Sequence, residues 1–178
     1  MALPRPTRPE LLIVAAFSRH EQALDWARQQ LLAEFGPIGL ESKPFHFNQT
    51  SYYAAEMGVE LQKVFLVFER LAAPDVLAAA KLRTNELEAE LGRTGTFPEP
   101  RPLNLDPGLL NLGKFMLATT KDQQHRLYLR DGIFAEVTLR YQEGAWHPWP
   151  WTYADYRQPE VLEFMELARD YYKQRLKH

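Results

Sequence analysis

Cysteine is absent from the chain. That excludes disulfides, zinc–thiolate sites, iron–sulfur clusters and a cysteine nucleophile, and it fits a reducing compartment, so a cytoplasmic location is the expectation. A basic excess is missing too: the formal net charge is −2 with histidine neutral. Without positive surplus to neutralise a phosphate backbone, a general nucleic-acid binder is disfavoured. Long apolar runs are lacking. The first, residues 11–17, is far shorter than the roughly 20 residues of a membrane-spanning helix, so no membrane partner is expected. The opening MALPRPTRPE holds three prolines and no apolar segment of the signal-peptide kind. No solenoid-period repeat or low-complexity tract occurs. Also absent are the G-x-x-x-x-G-K-[ST] phosphate loop, a G-x-G-x-x-G after a strand, H-E-x-x-H and G-x-S-x-G.

What remains describes an ordinary globular domain. The 178 residues are 46% hydrophobic, 12% aromatic and 25% charged. That length predicts one domain over 1–178, with 1–9 as a flexible arm, and lets folding bury roughly 70% of the chain's surface. Residues 11–17 read as a strand buried on both faces. Ser18 with Glu21 three residues on reads as a capping box opening a helix to Phe35, which Gly36-Pro37 ends. Pro44-Phe45-His46-Phe47 and Ser51-Tyr52-Tyr53 read as edge segments around a turn at Asn48. Residues 64–68 form a second strand, and 75–91 a second helix stopped by Gly92. Its inner face carries Leu77, Ala80, Thr84, Leu87 and Leu91.

Prolines 98, 100, 102 and 107 predict an extended edge segment, since proline removes a ladder donor. Asn104-Leu105-Asp106-Pro107-Gly108 reads as a polar turn. Residues 114–120 read as a strand. Asp131-Gly132 predicts the two-residue turn of a hairpin over 125–141. A last helix starts near Pro159, with Leu162, Met165, Ala168 and Tyr172 inward. This order predicts an α+β fold: a split β-α-β (ferredoxin-like) core, extended by an antiparallel hairpin and closed by a C-terminal helix.

The hairpin organises the candidate site. A two-residue turn pairs Arg130 with Ile133, Tyr128 with Ala135, Leu127 with Glu136 and His125 with Thr138. His125, Glu136 and Thr138 then share one face, with His125 and Glu136 diagonal neighbours. A carboxylate beside an imidazole is an acid–base pair suited to neutral pH. Catalytic roles are therefore expected at His125, Glu136 and Asp106. Lys121 and Arg126 are the expected anion holders, as a point charge and a planar fork. Asn104, Thr120, Asp122 and Lys114 are expected to bind the same ligand. Lys81, Asn85 and Glu88 lie along one edge of the second helix as half-buried partners. Asp106, His125 and Glu136 carry metal-compatible atoms, but their spacing matches no metal motif, so no metal is expected.

Several motifs together are distinctive: Asn104-Leu105-Asp106-Pro107-Gly108, Ala118-Thr119-Thr120-Lys121-Asp122, His125-Arg126-Leu127-Tyr128-Leu129, residues 131–139, Trp149-Pro150-Trp151-Thr152-Tyr153 and Asp155-Tyr156. With Tyr52-Tyr53, Glu56-Met57-Gly58, Lys81-Leu82 and residues 84–88, they resemble the bacterial domain-of-unknown-function family 4416 over nearly the whole chain. The sequence departs from that pattern at His46, where the family has an acidic residue, and at Leu109, where it has an aromatic one. The resemblance implies no established activity. Some members carry a GTP-binding label, whereas Thr120-Lys121-Asp122 lacks the spacer residue of a guanine-reading motif.

The expectation is a monomer or homodimer that binds, or acts on, a small anionic ligand, phosphorylated ones included. The alternatives are a protein-interaction module using the Trp- and Pro-rich 146–156, and a GTP binder without the usual phosphate loop.

Overall fold

A computed structural model describes residues 3, 6–47 and 54–177. The strands are β1 (Glu10–Ser18), β2 (Ile38–Glu41), β3 (Phe45–Phe47), β4 (Leu61–Ala72), β5 (Asn104–Leu110), β6 (Lys114–Thr119), β7 (Leu127–Arg130), β8 (Ile133–Gln142) and β9 (Ala145–Pro148). The helices are α1 (Glu21–Phe35), α2 (Ala54–Met57), α3 (Val76–Arg93) and α4 (Pro159–Arg175), with a 3-10 turn at Ala154–Arg157. Among the described residues the strands form one sheet in the order β2-β4-β1-β5-β6-β8-β7, with β3 also on β4 and β9 on β8. Every adjacent pair is antiparallel. The fold is α+β, and α4 is the expected C-terminal helix.

Strand β1 explains the three layers. Its side chains alternate between faces, and both faces are apolar. Leu12, Val14 and Ala16 pack with α1 and α3 through Leu24, Leu31, Leu77 and Leu87. Leu11, Ile13 and Ala15 pack under α4 with Phe65, Phe115, Met165 and Tyr172. Each large side chain so buried contributes about 1.5–3 kcal/mol.

Several expectations need correction. Ser18 is the last residue of β1 and makes no capping box. Its buried hydroxyl donates to the Pro102 carbonyl at 2.6 Å and accepts from the His20 N–H. Helix α1 therefore starts at Glu21, with His20 at the cap and no side-chain bond there. Gly92 does not stop α3, which runs to Arg93. The polar pentad 104–108 is no turn: it is most of β5, a central strand between β1 and β6, so the proline-rich crossing does not lay an edge. β9 was not anticipated. The expected turn at Asn48 and the segment 51–53 lie outside the described residues.

Pro107 survives in a central strand because of which side its nitrogen faces. Backbone groups alternate sides along an antiparallel strand. Asn111 donates its N–H to Lys114 on the β6 side, so residues 105, 107 and 109 point that way too. The last β5–β6 partners are Gly108 and Leu117, one residue short of Pro107. Pro107 thus stands at the end of that ladder, where a missing N–H interrupts least pairing. From there β5 stays on β1, down to Asn104 opposite Phe17, while β6 stays on β8. The two strands part and leave a notch in the sheet.

The hairpin forms at the expected turn. Asp131 and Gly132 take φ of 52° and 76°, the double left-handed turn that Asp-Gly favours. Its register is not the expected one. Arg130 faces Ile133, but Tyr128 faces Phe134 and Leu127 faces Ala135, with an irregularity at Leu129. Strand β7 closes the sheet and leaves Leu127, Tyr128 and Leu129 exposed.

Candidate functional site

The notch opens into a cleft of about 580 Å³. Leu105 shows how the sheet tolerates it. Its N–H and carbonyl both face the missing strand. Glu88 Oε1 accepts the N–H at 2.7 Å, and Lys81 Nζ donates to the carbonyl at 2.8 Å. Two side chains of α3 replace a strand's hydrogen bonds, and both backbone groups of Leu105 are satisfied. Lys81 and Glu88, expected to be half-buried, are buried at 5% and 9% exposure.

Lys81 reaches past β5. Its Nζ also donates to Asp106 Oδ1 at 3.0 Å, while Asn104 Nδ2 donates to Asp106 Oδ2 at 2.8 Å. Arg101 donates to Glu88 Oε2 at 3.0 Å and to Asn104 Oδ1. Burial works to raise the Asp106 carboxyl, but the charges of Lys81 and Lys63, with hydrogen bonds from Lys81 and Asn104, outweigh it and hold it below the usual range. Burial raises Glu88, only partly offset by Lys81 and Arg101.

On the α4 side, Lys63 is buried and donates to Asp155 Oδ2. Its ammonium stands 4.3 Å from the Tyr156 ring centroid, within cation–π range. Burial and the neighbouring carboxylates push the Tyr156 hydroxyl well above its ordinary range. Across the cleft, Arg126 is buried and ties three segments together. It donates to Glu136 Oε2 at 2.8 Å, to the Lys121 carbonyl at 2.9 Å and to the Tyr153 hydroxyl at 2.7 Å. Burial raises the Tyr153 hydroxyl against that contact.

The expected site residues separate clearly. Asn104, Asp106, Thr120, Lys121 and Glu136 line one cleft, with Asn85 beside them. His125 Nε2 lies 3.2 Å from Glu136 Oε2, so the expected pair forms. The cause differs from the expected diagonal of a regular hairpin. The chain leaves β7 before Arg126, so His125 and Arg126 converge on one carboxylate from what a continued strand would have made opposite faces. Arg126 therefore braces the wall. Asp122 is exposed and off the lining. Lys114, expected to bind the same ligand, sits exposed at the opposite end of β6, facing a different recess. Among the described residues, no cluster of three or more His, Asp or Glu side chains is placed to hold a metal ion.

Sequence reasoning missed Lys63, Arg101, Tyr153 and Asp155. Lys63 gave a signal: it lies two residues before Phe65 and so shares its inward face. A charge on an apolar face needs a buried partner. The Trp segment is partly buried and partly open, with Trp151 36% and Tyr153 43% exposed. Trp146 is buried, and Trp149 and Trp151 stack at 5.1 Å with His125 stacked on Trp151 at 5.2 Å. No helix among the described residues is long and apolar enough to cross a membrane.

The chain belongs to the family described as domain of unknown function DUF4416, whose family model matches residues 8–172. No curated protein and no solved structure matches it.

Proposed function

We propose that the cleft binds a small anionic ligand, phosphorylated ones foremost. One observation carries the reading. Lys63, Lys81, Arg101 and Lys121, from four separate segments, line one cleft against three carboxylates, Asp106, Glu136 and Asp155. The lining thus carries a positive excess inside a chain of net charge −2. Lys121 is exposed at the mouth, where it can meet an incoming anion. Asn104, Thr120 and the Tyr153 hydroxyl supply hydrogen bonds that orient the ligand. If the ligand reacts, Glu136 on the cleft wall moves the proton, with His125, off the lining, as its hydrogen-bond partner, and ionised Asp106 holds charge at the cleft floor.

The test is a thermal-shift panel of inorganic phosphate, phosphorylated metabolites, GTP and other nucleotides. A ligand at a hundred times its dissociation constant adds about 2.7 kcal/mol, or roughly 5–10 °C here. The expected hit is lost in Lys121→Ala, whose exposed side chain leaves the fold intact. A flat panel, or a shift that Lys121→Ala retains, overturns the reading.

We also read the first half as a split β-α-β core of the ferredoxin-like kind. The order β2-β4-β1-β5 supports this, since α1 and α3 each connect strands separated by one antiparallel neighbour. The interaction-module alternative gains more from exposed Leu127, Tyr128 and Leu129 on edge strand β7 than from 146–156.

A further inference from the structure

The other end of β6 borders a second recess of about 530 Å³, inside the roughly 300–1,000 Å³ span of small-molecule sites. It lies between the start of α3, the β5–β6 turn, the β7–β8 hairpin and the end of α4. Its walls are mostly apolar, with Leu77, Met116, Leu129, Ala135 and Leu176. Leu129 is 41% exposed, so part of that wall has no cover.

One polar group in the recess is unsatisfied. Glu10, at the start of β1, is 7% exposed. Its Oε1 accepts from Asn111 Nδ2 at 2.7 Å. Its Oε2, shielded from solvent, has no hydrogen-bond partner. A buried carboxylate oxygen without a donor is destabilising, and such atoms are rare in native folds. Two exposed cations, Arg8 and Lys114, stand at the same recess.

We infer that this recess is a binding site for an apolar α-amino acid. The ammonium approaches the Glu10 carboxylate, which lines the recess, the side chain lies on Leu77, Met116 and Leu129, and the carboxylate faces Arg8 and Lys114. A zwitterion answers both signs of charge. A simple amine leaves the rim cations unmatched, and a simple fatty acid brings a second anion towards Glu10. The site shares no lining residue with the cleft, so it stands or falls independently of the anionic-ligand reading.

The experiment is isothermal titration calorimetry of the full chain with L-leucine, against 4-methylpentanoate, which lacks the ammonium, and isopentylamine, which lacks the carboxylate. Two variants accompany it. Glu10→Gln keeps an acceptor for Asn111 but removes the charge, and Lys114→Glu reverses an exposed rim charge. Saturable leucine binding is expected. It should weaken roughly tenfold or more for each truncated analogue and each variant, the scale of one charge-assisted hydrogen bond. Absence of leucine binding at millimolar concentration, equal binding of 4-methylpentanoate, or wild-type affinity in both variants overturns the inference. In that case the orphan oxygen is served by ordered water.

Discussion

At the turn end of the β5–β6 pair, Leu110 faces Phe115 across a closed ladder, and both side chains lie in the core beneath α4. Past Gly108, the same two strands part, and Lys81, Glu88, Arg101 and Asp106 occupy the gap. One end is held by apolar area and backbone pairing, which respond weakly to salt and pH. The other is held by buried charges, whose worth depends on every partner being present. Stability sits at the closed end and sensitivity at the open one.

The largest change should come from the closed end. Phe115→Ala removes a fully buried ring and should cost about 3–5 kcal/mol in chemical denaturation, with the loss nearly unchanged between pH 5 and 8. Equal sensitivity to pH would erase the distinction between the two ends. Next is Lys81→Met, which leaves Asp106 and Glu88 short of a cation and the Leu105 carbonyl short of a donor. Breaking a buried pair in this way should cost about 3 kcal/mol, the lower part of the usual range because Asp106 is partly open to the cleft. Gly108→Ala tests the hinge where the strands part. A Cβ there would stand 2.5 Å from the Met116 carbonyl oxygen and 2.6 Å from the Phe115 ring, so backbone must shift. The expected loss is about 1–3 kcal/mol. Pro107→Ala should be mildest, about 0.4–1 kcal/mol, because Pro107 stands at the end of the β5–β6 ladder and the change acts mainly by freeing the unfolded chain.

The pH dependence sharpens the same contrast, because Asp106 and Glu88 act in opposite senses. The folded state lowers Asp106, so its contribution is present above the unfolded aspartate range, near pH 3.9, and is lost as pH falls through the folded value. Asp106→Asn should flatten that acid limb. The folded state raises Glu88, so its cost is absent below the unfolded glutamate range, near pH 4.3, and grows as pH rises towards the folded value. Stability of Glu88→Gln relative to wild type should therefore improve as pH rises through that window. Denaturation midpoints across pH 3–8 measure both, and parallel curves for the two variants would refute the opposed signs.

The closed end was the legible one. Alternation in β1, the inner face of α3 and the Asp131-Gly132 turn follow from local pattern, because period and turn chemistry are written in neighbouring residues. The open end was read only in pieces. Pro107 reads as an edge marker in sequence, because which neighbour a missing donor faces, and where that ladder ends, are properties of the sheet. Ser18 fits a capping box in sequence, yet the Pro102 carbonyl, 84 positions away, takes its hydroxyl. Lys63, Arg101 and Asp155 come from three distant segments, and no local spacing links them. His125 and Glu136 do meet, though through a register that the irregularity at Leu129 displaces from the one the turn predicts.

Leu105 stands apart from the rest of β5 through its amide. Its amide proton is held by the Glu88 carboxylate, whereas its neighbours on β5 are held by ordinary strand pairing. Its exchange with deuterated solvent therefore runs on a separate clock, set by the charge on Glu88 and by whatever occupies the cleft. In a nuclear magnetic resonance spectrum, that single amide resonance is a built-in gauge of the notch: it shifts when Glu88 takes up a proton, and its exchange slows when a ligand seals the opening.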